Sequence, residues 1–248
     1  MQLFGLIGYP LSHSFSKGYF AEKFQKEGID ACRYDNYPID NISLFPEIIK
    51  NNPALIGLNV TIPYKEKVLT YLDSISDEAK EIGAVNTIRI KRLNGQIILS
   101  GFNTDVYGFG ESLKPLLEPH HTSALILGTG GASKAVKFAL DKMGINFQQV
   151  SRIRSDNSLA YEGLTREIIE AHKIIINTTP LGTFPKVEEC PPLPYQFLGS
   201  KHLLYDLVYN PAVTAFLNHG LTHYCRVKNG LEMLHLQAEK AWEIWNEK

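Results

Sequence analysis

The sequence of 248 residues contains little cysteine and almost no net charge. Its three cysteines form no C-x-x-C pair, which argues against a disulfide scaffold and favours a reducing compartment. A formal net charge of −1 provides no electrostatic attraction to nucleic acid or to an anionic membrane. The apolar run near the N-terminus is too short for a membrane span and lacks the basic flank of a signal peptide. We therefore expect a cytoplasmic protein with no nucleic-acid or membrane partner.

The histidines show no spacing typical of metal ligands, since His120 and His121 are adjacent and the others are scattered. We therefore expect no metal site. Internal repeats and low-complexity tracts are also missing from the sequence. A chain of this length is sufficient for two domains, each with its own apolar core.

A glycine-rich turn between a buried strand and a helix organises the second half of the chain. The apolar run 124–127 leads into Gly128, Gly130 and Gly131, and apolar residues then recur at helical spacing from Ala135. Free backbone N–H groups at such a helix N-terminus can hold a nucleotide pyrophosphate. The same turn also occurs without a ligand, and Ser133 replaces the last glycine of the general fingerprint.

The next strand ends without the acidic residue that binders of unphosphorylated NAD usually place about 20 residues after the glycine turn. Arg152 and Arg154 stand there instead. Guanidinium groups suit the additional 2′-phosphate of NADP, since their planar forks bind phosphate oxygens in pairs. The alternative is that both arginines are merely solvated on a turn. We favour NADP as the cofactor.

The first half of the chain carries polar residues that could have either a structural or a functional role. Ser12 and Ser14 precede a predicted helix, where a serine can cap the helix or help to hold a carboxylate. Lys65 precedes a predicted helix over 66–72, where the macrodipole opposes a cation; such violations are commoner at functional sites. Asp105 is an ordinary first-turn acid or a functional carboxylate.

Seven segments, in this order, resemble the shikimate dehydrogenase family over nearly the whole chain. They are SHS at 12–14, NVTIPYKE at 59–66, GAVNTI at 83–88, NTD at 103–105, GTGGAS at 128–133, YDLVYNP at 205–211 and GLEMLHLQ at 230–237. The resemblance implies an α/β fold with an N-terminal α/β substrate-binding domain, residues 1–102 plus 231–248. It also implies a doubly wound, Rossmann-type NADP-binding domain, residues 103–230.

The resemblance further implies a role for each matched position. Lys65 and Asp105 correspond to the family's catalytic pair. The expected substrate-binding residues are Ser12, Ser14, Asn59, Thr61, Asn86, Tyr209 and Gln237. The expected cofactor-binding residues are Gly128, Thr129, Gly130, Gly131, Ala132, Ser151, Arg152, Arg154, Leu207 and Gly230. The implied reaction is the reversible NADPH-dependent reduction of 3-dehydroshikimate to shikimate, a step toward chorismate and the aromatic amino acids, by a monomer or homodimer.

The chain departs from the family pattern around the cofactor phosphate. Residues 151–153 are Ser-Arg-Ile where Asn-Arg-Thr is usual, which weakens the expected preference for NADP. Tyr9 replaces a small polar or basic residue, and Lys17 replaces a frequent proline. Residues 154–174 leave room for about one helix, so we expect the adenine side of the cofactor cleft to have lost a helix.

Three alternatives remain open. A quinate/shikimate dehydrogenase using NAD is the nearest, although Arg152 without an acidic neighbour argues against it. A non-catalytic NADP sensor would not need to keep both Lys65 and Asp105. An enzyme like methylenetetrahydrofolate dehydrogenase shares the two-domain plan, but the serines at 12 and 14 and Gln237 favour a small carboxylated polyol over a folate.

Overall fold

The computed structural model describes residues 1–11 and 14–247. It divides into two compact units, Met1–Thr104 with Gln237–Lys248, and Asp105–Leu236. The sequence predicted a substrate-binding domain of residues 1–102 plus 231–248 and a cofactor-binding domain of residues 103–230. The assignment of substrate and cofactor to these units stays a prediction, and each unit is described by itself below.

The first unit is a mixed sheet with helices. Its strands are β1 (Gln2–Gly8), β2 (Cys32–Pro38), β3 (Leu55–Val60), β4 (Ser74–Ile75), β5 (Thr87–Leu93) and β6 (Gln96–Phe102), in the sheet order β2-β1-β3-β5-β6-β4. Its helices are α1 (Phe15–Glu27), α2 (Phe45–Asn51) and α3 (Asp77–Ile82). Strand β1 pairs in parallel with β2 and β3, whereas β5 runs antiparallel to β3 and β6.

The second unit is a parallel sheet flanked by helices. Its strands are β7 (Ser123–Leu127), β8 (Asn146–Ser151), β9 (Ser158–Ala160), β10 (Ile174–Asn177), β11 (Leu203–Asp206) and β12 (Arg226–Lys228), in the order β12-β11-β10-β7-β8-β9. Its helices are α4 (Asp105–Leu113), α5 (Gly131–Lys142), α6 (Arg166–Ala171) and α7 (Ala215–Thr222). This doubly wound arrangement confirms the predicted α/β fold.

The last helix, α8 (Leu231–Asn246), begins in the second unit, and its part from Gln237 onward belongs to the first. In the first unit Trp245 packs against Phe4 and Phe20, with ring centroids 4.9 and 5.5 Å apart, and its indole N–H donates to the Ile88 carbonyl at 3.0 Å. A Cβ on Gly57 would come within 2.6 Å of the Trp245 ring. Gly57 therefore allows this segment of α8 to lie directly on β3.

The local sequence explains the regular elements. The central strands β7 and β10 are fully buried from Ala124 and from Ile174 onward, as continuous apolar runs in a parallel sheet should be. The β5–β6 hairpin turns at Asn94 and Gly95, whose φ angles are +51° and +81°. Asparagine and glycine are the residues that tolerate a two-residue turn of this kind.

Two predictions about the chain path had opposite outcomes. The helix predicted over 66–72 is wrong, because the structure has only a short 3₁₀ segment, Lys67–Tyr71. Lys65 therefore does not open an α-helix, and the macrodipole argument does not apply to it. The expectation that residues 154–174 hold about one helix is confirmed, while the loss of a helix from the adenine side of the cofactor cleft stays a prediction. Residues 152–157, all of them described, join β8 to β9 without a helix, and α6 is the one α-helix between Arg154 and Ile174.

No helix among residues 1–11 and 14–247 is long and apolar enough to cross a membrane. The described residues also contain no group of three or more histidine, cysteine, aspartate or glutamate side chains that could hold a metal ion.

Candidate active site

A buried polar cluster in the first unit unites Asn86 and Gln237, two of the predicted substrate-binding residues. They are 3% and 7% exposed, and the Asn86 amide nitrogen donates to the Gln237 side-chain oxygen at 3.4 Å. Thr104 joins them, since its backbone N–H donates to the Asn86 side-chain oxygen at 2.7 Å and its hydroxyl lies 3.4 Å from the Gln237 oxygen. Such a cluster offers neutral donors and acceptors for hydroxyl groups.

Asn59 supports this cluster from β3. Its amide nitrogen donates to the Asn86 carbonyl at 3.3 Å and to the Thr87 hydroxyl at 3.2 Å, and its oxygen accepts from Tyr34 at 2.8 Å. Both amide protons of Asn59 are therefore used within the protein. Its predicted contact with substrate stays a prediction, while its hydrogen bonds hold the Asn86 backbone in place.

The structure describes one of the two serines of the SHS segment. Ser12 lies outside the described residues. Ser14 occupies the N-cap position of α1, yet its side chain makes no capping hydrogen bond. Its hydroxyl oxygen is buried and has no hydrogen-bond partner among the described residues. The capping explanation therefore does not account for Ser14, and a buried hydroxyl without a partner is suited to a ligand.

Thr61 follows β3 at a close approach of two chain segments. Its methyl group would lie 2.4 Å from a Cβ on Gly8, so the absence of a side chain at residue 8 makes room for it. The Thr61 backbone N–H donates to the Ile7 carbonyl at 3.0 Å. The end of β1 therefore fixes the position of Thr61.

The predicted catalytic residues both lie at defined points of their units. Lys65 of the first unit is half-buried, and its carbonyl accepts from the Val85 N–H at 2.8 Å. Asp105 is the first residue of α4, begins the second unit and is 9% exposed. A buried carboxylate at the start of a helix lies in the favourable field of the helix N-terminus.

The glycine turn of the second unit has the form of a phosphate cradle. Gly128 has a φ of +108°, and a Cβ there would lie 2.8 Å from the Thr178 hydroxyl oxygen. Gly130 and Gly131 instead leave open space within 4 Å of a Cβ, and Thr129 and Gly130 are exposed. Ala132 follows in the first turn of α5. These residues fit a dinucleotide, because open glycine N–H groups at a helix N-terminus can approach a pyrophosphate closely.

The segment predicted to bind the 2′-phosphate leaves β8 on the surface. Arg152 and Arg154 are both exposed. The Ser151 hydroxyl donates to the Ile153 carbonyl and lies 3.0 Å from the Ser158 hydroxyl. The Ser151 hydroxyl therefore bonds within its own loop, whereas the side chains of Arg152 and Arg154 are exposed on the loop surface.

Leu207 and Gly230, both predicted near the nicotinamide, are adjacent in the structure. A Cβ on Gly230 would lie 2.1 Å from the Leu207 carbonyl oxygen, so the backbones approach more closely than any other residue type allows. The Gly230 N–H donates to the Val208 carbonyl at 3.2 Å. Tyr209 follows in the same segment of the second unit, and burial raises the pKa of its phenol.

Comparison with known proteins identifies the family of this chain. The model of the shikimate dehydrogenase substrate binding domain matches residues 6–88. The Clostridium beijerinckii protein named shikimate dehydrogenase (NADP(+)) is 40% identical over 100% of this chain and 93% of its own length. The chain belongs to the shikimate dehydrogenase family.

Two further relatives extend the family match. The Caldanaerobacter subterraneus subsp. tengcongensis protein of the same name is 36% identical over 98% of this chain and 91% of its own length. The solved structure of shikimate 5-dehydrogenase from Thermus thermophilus, in complex with NADP(H) and shikimate, matches with a TM-score of 0.85 and 32% identity. That match covers 99% of this chain and 94% of the solved chain.

Sequence reasoning missed one buried carboxylate in this shikimate dehydrogenase family member. Asp206 is fully buried at the end of β11 and accepts hydrogen bonds from the Thr214 hydroxyl at 2.6 Å, the Asn177 amide at 2.9 Å and the Val208 N–H at 3.0 Å. Burial raises the pKa of Asp206 to about 6, and these hydrogen bonds offset only part of that shift. The sequence pointed to Asp206 only through its position within the YDLVYNP segment of the family resemblance.

The threonines around Asn86 were missed in a similar way. Thr87 and Thr104 are both buried and bond to the Asn86 side chain, yet the resemblance assigns no role to either, although both lie within its quoted segments. Motif matching assigns roles to the residues that face a ligand. Side chains that only support those residues become visible once the fold has placed them together.

Proposed function

We propose that this chain catalyses the reversible NADPH-dependent reduction of 3-dehydroshikimate to shikimate, in the route to chorismate and the aromatic amino acids. One observation carries the proposal: the chain matches shikimate dehydrogenases along its whole length and holds the matched polar residues Asn86 and Gln237 in one buried cluster. A scaffold retained only for nucleotide binding would not need that cluster.

The substrate side of the proposal rests on neutral polar groups. We assign the ring hydroxyls of the substrate to Thr61, Asn86 and Gln237, and its carboxylate to the Ser14 hydroxyl together with Ser12. Asn59 and Tyr209 complete the assigned substrate set. Buried hydrogen-bonding groups reject analogues that lack a hydroxyl, because the protein's own polar atoms are then left without a partner.

The cofactor side rests on the glycine turn and the segments around it. Gly128 to Ala132 would hold the pyrophosphate, the segment of Ser151, Arg152 and Arg154 the adenosine end of the cofactor, and Leu207 with Gly230 the nicotinamide. Bound NADPH supplies a hydride to the carbonyl carbon of the substrate. The role of the protein is then to orient the two reactants and to manage the charge on the carbonyl oxygen.

Lys65 is assigned to the proton transfer. As the ring carbonyl is reduced, its oxygen gains negative charge, and an ammonium group beside it can stabilise that charge and donate a proton. In the oxidation direction the neutral amine accepts the proton back. Asp105 is assigned as the second member of the pair, a carboxylate that hydrogen-bonds a substrate hydroxyl and keeps it aligned.

Initial rates of shikimate oxidation with NADP and with NAD, measured in parallel with quinate as a second substrate, test the proposal. We expect turnover of shikimate with NADP and little turnover of quinate. Comparable turnover of quinate with NAD would move the protein to the quinate/shikimate branch. Tight NADP binding without turnover of either substrate would contradict the proposed function and favour a sensor.

We further propose that the protein works in the cytoplasm as a monomer or homodimer. All three cysteines, Cys32, Cys190 and Cys225, are free thiols, which suits a reducing compartment. Size-exclusion chromatography with light scattering would decide between the two assembly states.

A further inference from the structure

A groove occupies the surface of the second unit beside β8. In doubly wound folds a crossover usually places a helix over the sheet between consecutive parallel strands. Here the described residues 152–157 form the whole connection from β8 to β9 and contain no helix. A cavity of about 540 Å³ lies at this edge of the unit, between α5, the face of β8 and the β8–β9 loop.

The lining of this groove is polar and carries two cations. Its chemically distinctive side chains are Lys137 from α5, Gln149 from β8, and Arg154, Ser155 and Asp156 from the loop. Arg152 does not line it. Phe147 and Leu159 are the apolar residues of the lining, and both are half-buried. The other eight lining residues are polar or charged.

A chain of hydrogen bonds connects the groove to the glycine turn. The Lys137 ammonium donates to the Gln149 side-chain oxygen at 3.3 Å. The Gln149 nitrogen then donates to the Gly128 carbonyl at 3.2 Å and to the Ser133 hydroxyl at 3.4 Å. Ser133 in turn donates to the Gly130 carbonyl at 2.7 Å. Gln149 therefore links the Lys137 ammonium to the backbone of the glycine turn.

The loop itself leaves few donors for a phosphate at its usual position. A phosphate dianion accepts hydrogen bonds, and a serine hydroxyl has one proton to donate. Ser151 donates that proton to the Ile153 carbonyl. Ile153 has an apolar side chain that is 80% exposed. The remaining donors with a positive charge at the groove are Lys137 and Arg154.

We propose that Lys137, together with Arg154, binds the 2′-phosphate of NADP in this groove, and that Lys137 thereby determines the preference for NADP over NAD. This inference rests on the proposed function and deepens it. The arginine fork can bind two phosphate oxygens, while the lysine contributes a point charge from α5. Asp156 lies on the same lining and opposes an anion, so its charge weakens the site without cancelling both cations.

Nucleotide binding to the purified full-length chain tests the assignment without any need for turnover. The probes are adenosine 2′,5′-bisphosphate and 5′-AMP, which differ only by the 2′-phosphate, measured by isothermal titration calorimetry. Lys137→Met is expected to weaken the bisphosphate roughly 10- to 100-fold and to leave 5′-AMP unchanged, since one charge-assisted contact is lost. Lys142→Met is the matched control, because Lys142 lies on the same helix, outside the groove lining and over the Phe138 ring.

Two further variants check the sign of the effect. Arg154→Met removes an exposed cation and should also weaken the bisphosphate selectively. Asp156→Asn removes the opposing charge and should strengthen bisphosphate binding by about two- to threefold. The assignment would be overturned if Lys137→Met bound both nucleotides as tightly as the unaltered chain does. It would also be overturned if the variant lost the same affinity for both nucleotides. An unaltered chain that binds the bisphosphate no better than 5′-AMP would overturn it as well.

These results separate the inference from the proposed function. Binding that depends on Lys137, in a chain that does not oxidise shikimate, would leave the phosphate site in place and remove the proposed reaction. Shikimate oxidation with an NADP preference that survives Lys137→Met would keep the reaction and remove the phosphate site.

Discussion

The candidate substrate residues of the first unit and the candidate cofactor residues of the second unit lie in different environments. In the first unit Asn86, Thr104 and Gln237 form a buried cluster of neutral groups that bond to one another. In the second unit Lys137 and Arg154 line a groove open to solvent. A buried neutral cluster discriminates through the cost of unpaired polar atoms, whereas cations in a groove open to solvent attract an anion through a field that water and salt weaken. Substrate choice should therefore resist changes of conditions that alter cofactor choice.

The largest expected effect comes from removing the assigned proton donor. Lys65→Ala should lower kcat by about 10²- to 10⁴-fold and change the KM for shikimate much less, because general acid catalysis acts mainly in the transition state. Steady-state kinetics measure both constants. Lys67→Ala, two residues further on and exposed, is the control and should behave as the unaltered enzyme. An unchanged kcat for Lys65→Ala would remove Lys65 from the chemistry.

A smaller effect should follow from breaking the buried cluster. Gln237→Leu should lower kcat/KM for shikimate by about 100-fold, since Asn86 and Thr104 lose an acceptor and the substrate loses the partner that we assign to it. The dissociation constant of NADP should stay the same. Gln25→Leu on the exposed face of α1 provides the control. Equal losses in substrate and cofactor affinity would show that the variant disturbs the fold and not the cluster.

Asp206 provides a contrast within the second unit. Its carboxyl group is buried, whereas the proposed phosphate groove of the same unit is open to solvent. Its pKa is about 6 in the folded protein, above the ordinary value of 3.8, so the folded state binds more protons between these values. The free energy of unfolding should therefore fall as the pH rises through this window, by roughly 3 kcal/mol in total. It should change little above pH 6 from this cause.

The stability prediction is checked with Asp206→Asn, which removes the titration. Urea unfolding of both proteins from about pH 4 to about pH 7 provides the difference in free energy at each pH. We expect the unaltered protein to lose stability relative to the variant as the pH rises. A difference that stays constant with pH would mean that Asp206 does not titrate in this range.

The smallest effect concerns salt. Raising KCl from about 0.05 to 0.5 M should increase the KM for NADP by about three- to tenfold, because the cations assigned to its phosphate line a groove that is open to solvent. The KM for shikimate should change by no more than about twofold. A parallel titration with NAD, which lacks the 2′-phosphate, is the control. Equal salt dependence for NADP and shikimate would contradict the contrast between the buried cluster of the first unit and the open groove of the second.

Much of the fold could be predicted from local sequence. The apolar runs of β7 and β10 and the Asn94-Gly95 turn lie where their patterns indicate, since these features depend on neighbours in the chain. The single α-helix between Arg154 and Ile174 followed from simple length. The helix predicted over 66–72 was wrong, because a weak apolar period does not distinguish an α-helix from a short 3₁₀ segment.

The chain by itself determined the order of strands and helices, the glycine turn and the residue types of the site, because spacing and side-chain chemistry are properties of the sequence. Only the tertiary structure decided which of those residues support one another. The bonds of Thr104 to Asn86, of Thr214 to Asp206 and of Lys137 to Gln149 join residues far apart in the chain or on different elements. Hydrogen bonds of this kind form only when the packing of sheets and helices brings their atoms within about 3 Å of one another.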